Sequence, residues 1–221
     1  MKFQHFTFNP FGVNCFVLSN KQGDAILIDP SVSNTMEQQT LDKYIKENNL
    51  TVRRMLNTHL HLDHVLGNAF VERTYGVKAE AHQEDEFLLD LQEEQSELYG
   101  LPFEDPAPAL GDYIAEGDTV EVPGVKLHVL HVAGHSPGGV AFYCEKASLQ
   151  LAPSKSIEVP LLFSGDILFA GSRGRSDLFG GDDHALVTGI KNKLLTLPPE
   201  TIVLPGHGPS TTIEEERKSQ F

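Results

Sequence analysis

The first third of the chain alternates apolar and polar positions at period two, which predicts strands. Lys2–Phe8, Val13–Ser19 and Ala25–Asp29 read as hairpin strands, with Asn20-Lys21-Gln22-Gly23-Asp24 as the turn between two of them. Val52–Asn57 reads as a strand running into a turn, and Thr35–Asn48 and Gly67–Tyr75 as helices. In Gln83–Glu97 the apolar Phe87, Leu88, Leu91 and Leu98 fit helical spacing. The acidic residues of that stretch, Glu84, Asp85, Glu86, Asp90, Glu93, Glu94 and Glu97, are therefore expected on a solvated helix face. Residues 100–117 carry Pro102, Pro106 and Pro108 and are expected to form a surface loop. Thr119–Val122 and Val125–Val132 predict a hairpin about Pro123-Gly124. Strands at Gly139–Cys144 and Leu161–Ser164 flank an expected polar loop, Glu145–Pro160. Asp182–Leu197 reads as a helix and Thr201–Leu204 as the last strand, and the charged tail Thr212–Phe221 is compatible with a helix.

Residues 58–64, Thr-His-Leu-His-Leu-Asp-His, resist a purely structural reading. They bring His59, His61, Asp63 and His64 together, and each buried imidazole would need its own hydrogen-bond partner. Imidazole and carboxylate are the ligands that zinc and similar metals take. In extended chain, positions 59, 61 and 63 share one face. His64 breaks that parity, so it points elsewhere or the chain bends there. One run would then feed two metals, His59 and His61 serving one, Asp63 and His64 the other. Three further candidates sit where an apolar run meets a glycine-containing turn: His135 in Gly134-His135-Ser136-Pro137-Gly138, Asp166 in Ser164-Gly165-Asp166, and His207 in Pro205-Gly206-His207-Gly208. Each alone has an ordinary reading as a turn or cap residue. The same pattern three times favours ligands held by rigid scaffold. Asp29 closes a strand and would either steady a ligand histidine or cap a turn.

The 221 residues suit one domain, 1–221, with a substantial core. No stretch approaches the roughly 20 apolar residues of a membrane span, and the N-terminus lacks a signal-peptide apolar region. The two cysteines, Cys15 and Cys144, lie in apolar surroundings and read as buried free thiols. These features lead to an expected cytoplasmic location. A net charge of −14 disfavours nucleic acid as a partner.

On the four motifs quoted, which run in order through the chain, the sequence resembles the metallo-β-lactamase superfamily. Within it, the resemblance is to the short glyoxalase II-like branch, which lacks the C-terminal helical domain of full-length glyoxalase II. The resemblance implies an α/β fold, a four-layer αββα sandwich with a dinuclear site at one edge of its two sheets. It implies a first metal on His59, His61 and His135, a second on Asp63, His64 and His207, and Asp166 bridging them. Two divalent ions follow, zinc first, with iron or manganese as alternatives. Asp166 in place of Cys, and His64 in place of Arg, depart from the best-known true β-lactamases. His61 stands where the flavodiiron oxidoreductases carry Glu. These departures favour the hydrolase branch, and the resemblance implies hydrolysis of a small-molecule thioester by a hydroxide held between the two metals. Arg175 would grip a substrate carboxylate or pair with Asp177.

Two rival readings remain distinct. A persulfide dioxygenase of the same fold would hold one iron on His59, His135 and Asp166. A non-catalytic metal scaffold ranks lower, because structural zinc sites are closed and usually cysteine-rich. His5, His82, His128, His131 and His184 are expected at the surface, in strands or behind the ligands, with His131 the nearest to the ligand turn.

Overall fold

The computed structural model describes residues 1–101, 103–152 and 155–218. Among the described residues, fourteen strands form two six-stranded sheets and one small ribbon. The first sheet, in spatial order, is β1 (Lys2–Phe8), β2 (Val13–Ser19), β3 (Asp24–Ile28), β4 (Thr51–Leu56), β5 (Ala79–Ala81) and β6 (Asp112–Tyr113). It starts as an antiparallel meander and turns parallel from β3 onward. The second sheet uses β7 (Thr119–Val122), β8 (Val125–His131), β9 (Val140–Ala152) and β10 (Lys155–Gly165). After the ribbon of β11 (Leu168–Phe169) and β12 (Ser172–Arg173) come β13 (Ile202–Pro205) and β14 (Thr211–Thr212). The second sheet's order is β14-β13-β10-β9-β8-β7, and only β10 and β13 run parallel.

Period-two alternation explains the layers. In β2, Phe16 and Leu18 face the second sheet, while Cys15 and Val17 face the helices outside. In β10, Leu161 and Phe163 point inward and Leu162 outward. Helices α1 (Thr35–Glu47) and α3 (Asn68–Tyr75) cover the first sheet, burying Leu41, Ile45, Phe70 and Val71. Helix α6 (Asp183–Asn192) covers the second with Leu186 and Ile190. Short helices α2 (Leu62–Val65), α4 (Phe87–Asp90), α5 (Gln92–Tyr99) and α7 (Ile213–Glu216) complete the chain. The result is the expected four-layer αββα sandwich. Both cysteines are free and buried. Among the described residues, no helix is long and apolar enough to cross a membrane.

The structure corrects the sequence reading in four places. Glu145–Pro160 is not a loop but the greater part of the β9–β10 hairpin, paired through Ala147↔Val159, Ser148↔Glu158 and Leu149↔Ile157. Pro160 is tolerated because the register shifts between Val159 and Leu161, so no ladder bond is demanded of it. Of that stretch, Pro153 and Ser154 lie outside the described residues. Gln83–Glu97 is not one solvated helix but a 3₁₀ turn, Gln83–Asp85, followed by α4 and most of α5. Phe87 and Leu98 are exposed there, whereas Asp85 is fully buried, drawn inward by hydrogen-bond donors from two other loops. The 100–117 stretch, Pro102 of which lies outside the described residues, contributes the edge strand β6. The tail is helical only over Ile213–Glu216, and its residues 219–221 lie outside the described residues.

Candidate metal centre

Four connections deliver side chains to one edge of the sandwich. β4 ends at Leu56, the chain bends at Thr58, His61 is extended, and α2 begins at Leu62. The bend at His61–Leu62 puts Asp63 and His64 on a helical turn, clear of the strand parity. β8 runs to His131 and its following turn presents His135. The parallel strands β10 and β13 end side by side, presenting Asp166 and His207. The two sheets are stitched beside the site where Val140 N–H donates to Thr58 O at 2.8 Å. Asn14 frames the His207 turn by donating to Pro205 O and Gly208 O at 2.9 and 3.0 Å. Gly206 is required there, because a Cβ would collide with Asp166 Oδ1 and lie 2.8 Å from His64 Cε1.

The structure brings all seven candidates together. Donor atoms of His59, His61 and His135 lie within 4.8 Å of one another, as do those of Asp63, His64 and His207, and those of His59, His64 and Asp166. Asp166 stands between the trios, its Oδ2 3.7 Å from His135 Nε2 and 3.4 Å from His207 Nε2. Hydrogen bonds behind the rings fix which nitrogen faces the centre. His64 Nδ1–H donates to Asp29 Oδ2 at 3.1 Å, His135 Nδ1–H to Arg175 O at 2.8 Å, and His207 Nδ1–H to Phe11 O at 3.0 Å. Thr58 Oγ gives its proton to Asp29 Oδ2 at 2.7 Å and so accepts from His59 Nδ1–H at 3.1 Å. Each of these four rings presents Nε2, whereas His61 presents Nδ1.

This donor set fits a cation. His61 Nδ1 and His135 Nε2 approach to 2.9 Å, and His64 Nε2 and His207 Nε2 to 3.3 Å. Lone pairs so close repel unless a proton or a metal lies between them. Asp166 Oδ1 is buried without a hydrogen-bond partner, although it lies 3.4 Å from His64 Nε2. Charge is partitioned accordingly. Burial and the neighbouring imidazoles hold His59 well below the ordinary histidine range and His61 down to about 3. Burial also lowers His135. Burial opposes charge on His64 and His207 too, but Asp166 and Asp63 raise His64 well above its usual value and His207 to about 9. Against the cost of burial, His64 and His207 in turn hold Asp63 low and Asp166 well below the carboxylate range. The first trio is thus neutral imidazole, the form that binds metal.

A cavity of about 500 Å³ opens onto the trios. Phe11, Tyr99, Leu101, Phe169 and Leu178 give it apolar walls. Arg175 lines it too, but Nε and Nη2 are paired with Asp177 at 2.7 and 2.9 Å. His131 lies outside the centre, donating Nε2–H to Pro137 O at 2.8 Å and stacking on His82 at 4.1 Å. With Glu84 these two histidines form a further donor group, but rings only 11° from parallel do not aim two lone pairs at one point.

Two supporting residues escape the sequence reading. Asp85 accepts from Leu60 N, Ser136 Oγ and Gly138 N, and Gln95 Oε1 accepts from Leu62 N at 2.9 Å. Both sit in the acidic stretch assigned to solvent, and their burial follows from partners distant in sequence.

Comparison with known proteins bears on this centre. The family model of the metallo-beta-lactamase superfamily matches residues 8–150 and 156–207. The hydroxyacylglutathione hydrolase GloC of Haemophilus influenzae is 32% identical over 210 residues, covering 95% of this chain and 92% of that protein. Among solved structures, the B3 metallo-beta-lactamase BLEG-1 superposes with a TM-score of 0.83 at 32% identity, covering 98% and 97% of the two chains. TTHA1623, solved in a di-iron-bound form, gives 0.79 at 33% identity and covers 98% of each.

Proposed function

The chain belongs to the metallo-β-lactamase superfamily, and we propose that it is a metal-dependent hydrolase of the glyoxalase II type, cleaving a small-molecule thioester. The observation that carries the proposal is the convergence of two donor trios on one buried edge beneath an apolar cavity. His59, His61 and His135 would hold one ion, Asp63, His64 and His207 the second, with Asp166 between them. When bound, such a pair of ions supplies a hydroxide at neutral pH and polarises the carbonyl under attack.

The chain's own residues do the rest. Asp29, Phe11 O and Arg175 O hold the ligand rings in one tautomer and orientation. The apolar wall seats the acyl thiol and limits water at the reacting carbon. A thiolate leaves without strong acid assistance, so the absence of a general acid among the centre's ligands is no handicap. Because Nε and Nη2 of Arg175 are paired with Asp177, a bidentate grip on a substrate carboxylate through those two atoms would require exchanging Asp177.

Zinc is the expected ion pair, and the di-iron state of TTHA1623 makes iron its competitor. Elemental analysis of protein purified without chelator or affinity tag should find about two ions per chain. Thioesters would then be screened from S-lactoylglutathione outward, with a β-lactam alongside because of the likeness to BLEG-1. Asp166→Ala should abolish thioester turnover in folded protein. Unchanged turnover in that variant would sink the two-ion reading. A single iron per chain, with oxygen uptake on a persulfide, would replace hydrolysis by sulfur dioxygenation.

A further inference from the structure

Asp85 is a buried carboxylate that the proposed chemistry does not use. It lies in the 3₁₀ turn Gln83–Asp85, remote in sequence from every donor of the centre. Oδ2 accepts from Ser136 Oγ at 2.8 Å and from Leu60 N at 3.3 Å, and Oδ1 accepts from Gly138 N at 2.6 Å. Leu60 is the residue between His59 and His61, and Ser136 is the residue after His135. One carboxylate therefore joins the two segments that carry the first trio. The approach is close: a Cβ on Gly138 would lie 2.8 Å from Asp85 Cγ. The second trio is held by other groups, through His64 on Asp29, His207 on Phe11 O, and the Asp63 carbonyl on Asn9 Nδ2 at 2.9 Å.

We propose that Asp85 is the positioning residue of the first trio, fixing His59 and His61 against His135 and so setting the metal affinity of that trio alone. The inference rests on the metal-centre reading above. Burying a carboxylate is costly unless its oxygens are satisfied, and here three donors satisfy them. Burial raises Asp85 to about 6, with the bonds from Ser136, Gly138 and Leu60 opposing the rise, so it is an acceptor at neutral pH. No other side chain reproduces the arrangement. Asparagine keeps one acceptor oxygen and turns its amide N–H toward either Gly138 N–H or Leu60 N–H. Only the Ser136 hydroxyl can rotate to suit it. Asp85→Asn therefore keeps part of the clamp and Asp85→Ala none.

The test titrates cobalt(II) alone into metal-free protein, read by its visible absorption, in two backgrounds. His207→Ala leaves the first trio intact, and His135→Ala leaves the second. Adding Asp85→Asn should weaken cobalt binding by about 10- to 100-fold in the His207→Ala background, the usual cost of losing support behind a ligand. In the His135→Ala background it should leave binding unchanged. Ser136→Ala, which removes one bond and keeps the carboxylate, should give a smaller loss with the same selectivity and carries the test if Asp85 variants fail to fold. Equal loss in both backgrounds, or none in either, would overturn the positioning role and leave the hydrolase reading intact. Failure of the parent protein to bind cobalt would overturn both.

Discussion

Asp29 shows how much one residue can organise. It sits at φ 47°, a left-handed conformation that Asp and Asn tolerate better than other side chains. Its Oδ1 accepts Thr58 N–H at 2.8 Å, and its Oδ2 accepts from Thr58 Oγ and His64 Nδ1. His64 is thus oriented directly and His59 through the Thr58 hydroxyl, so Asp29 serves both trios where Asp85 serves one. Asp29→Asn keeps the backbone conformation and the Thr58 N–H bond but turns an amide N–H toward the His64 Nδ1–H. Competition with a chelator should read a loss of roughly 10- to 100-fold in affinity at both ions, with the fold retained. Unchanged affinity would remove Asp29 from the centre. Of its two sequence readings, ligand support and turn residue, the left-handed backbone fits the second, and the bonds to His64 and Thr58 support the first. The seven candidates that the structure gathers stood out in the sequence because His and Asp are conspicuous where apolar strands end. Asp85 did not, because in an acidic stretch every carboxylate looks alike and only donors from residues 60, 136 and 138 single it out.

At the scale of elements, legibility followed periodicity. The strands β1, β2 and β8 and the helices α1 and α3 lie where their patterns predict, because each buries residues at a single repeat. The far half of the β9–β10 hairpin carries Glu145, Lys146, Lys155 and Glu158 and imitates a loop, yet its backbones pair through Ala147↔Val159, Ser148↔Glu158 and Leu149↔Ile157 between two register shifts. Strand status there comes from the partner strand, which composition does not report. Helix α1 offers the cleanest test of an element on its own. Asn34 caps it, accepting from Met36 N at 3.0 Å and Glu37 N at 3.1 Å. Asn34→Ala should lower the unfolding free energy by about 1 kcal/mol in urea titration, with metal content unchanged. A loss of metal would mean that the cap acts through Glu37, whose Oε1 accepts from Asn9 N at 2.9 Å.

For the whole molecule, the centre doubles as a seam between the sheets, and without metal the seam is held by protons. His64 and His207 are raised in the fold, so their stabilising charge is fully present below the unfolded value of about 6.5. It is lost as pH climbs through the folded values, about 9 for His207. His59, His61 and His135 are held low, so below about 6.5 the unfolded chain takes up protons that the fold refuses. Stability then falls with falling pH. Asp63 and Asp166 add to that decline, since their folded values lie below the unfolded one. Asp85, raised to about 6, acts in the opposite sense, favouring the fold as pH falls from there toward the ordinary carboxylate value. One group does not reverse the combined pull of three histidines and two carboxylates. Metal-free protein should therefore be most stable near about pH 6.5 and lose stability as pH rises from there toward about 9. Bound cations would replace the protons of His64 and His207 and remove the alkaline decline, while protons competing for the ligands would steepen the acid one. Urea unfolding of chelated and metal-loaded protein across that range distinguishes the two curves. If the chelated protein loses no stability between about pH 6.5 and 9, His64 and His207 are not cationic in the fold. The charge on Asp63 and Asp166 would then be unbalanced without metal, and the seam would rest on the bond from Val140 to Thr58, the Asn14 contacts, the Asp85 bridge and the core shared by the sheets.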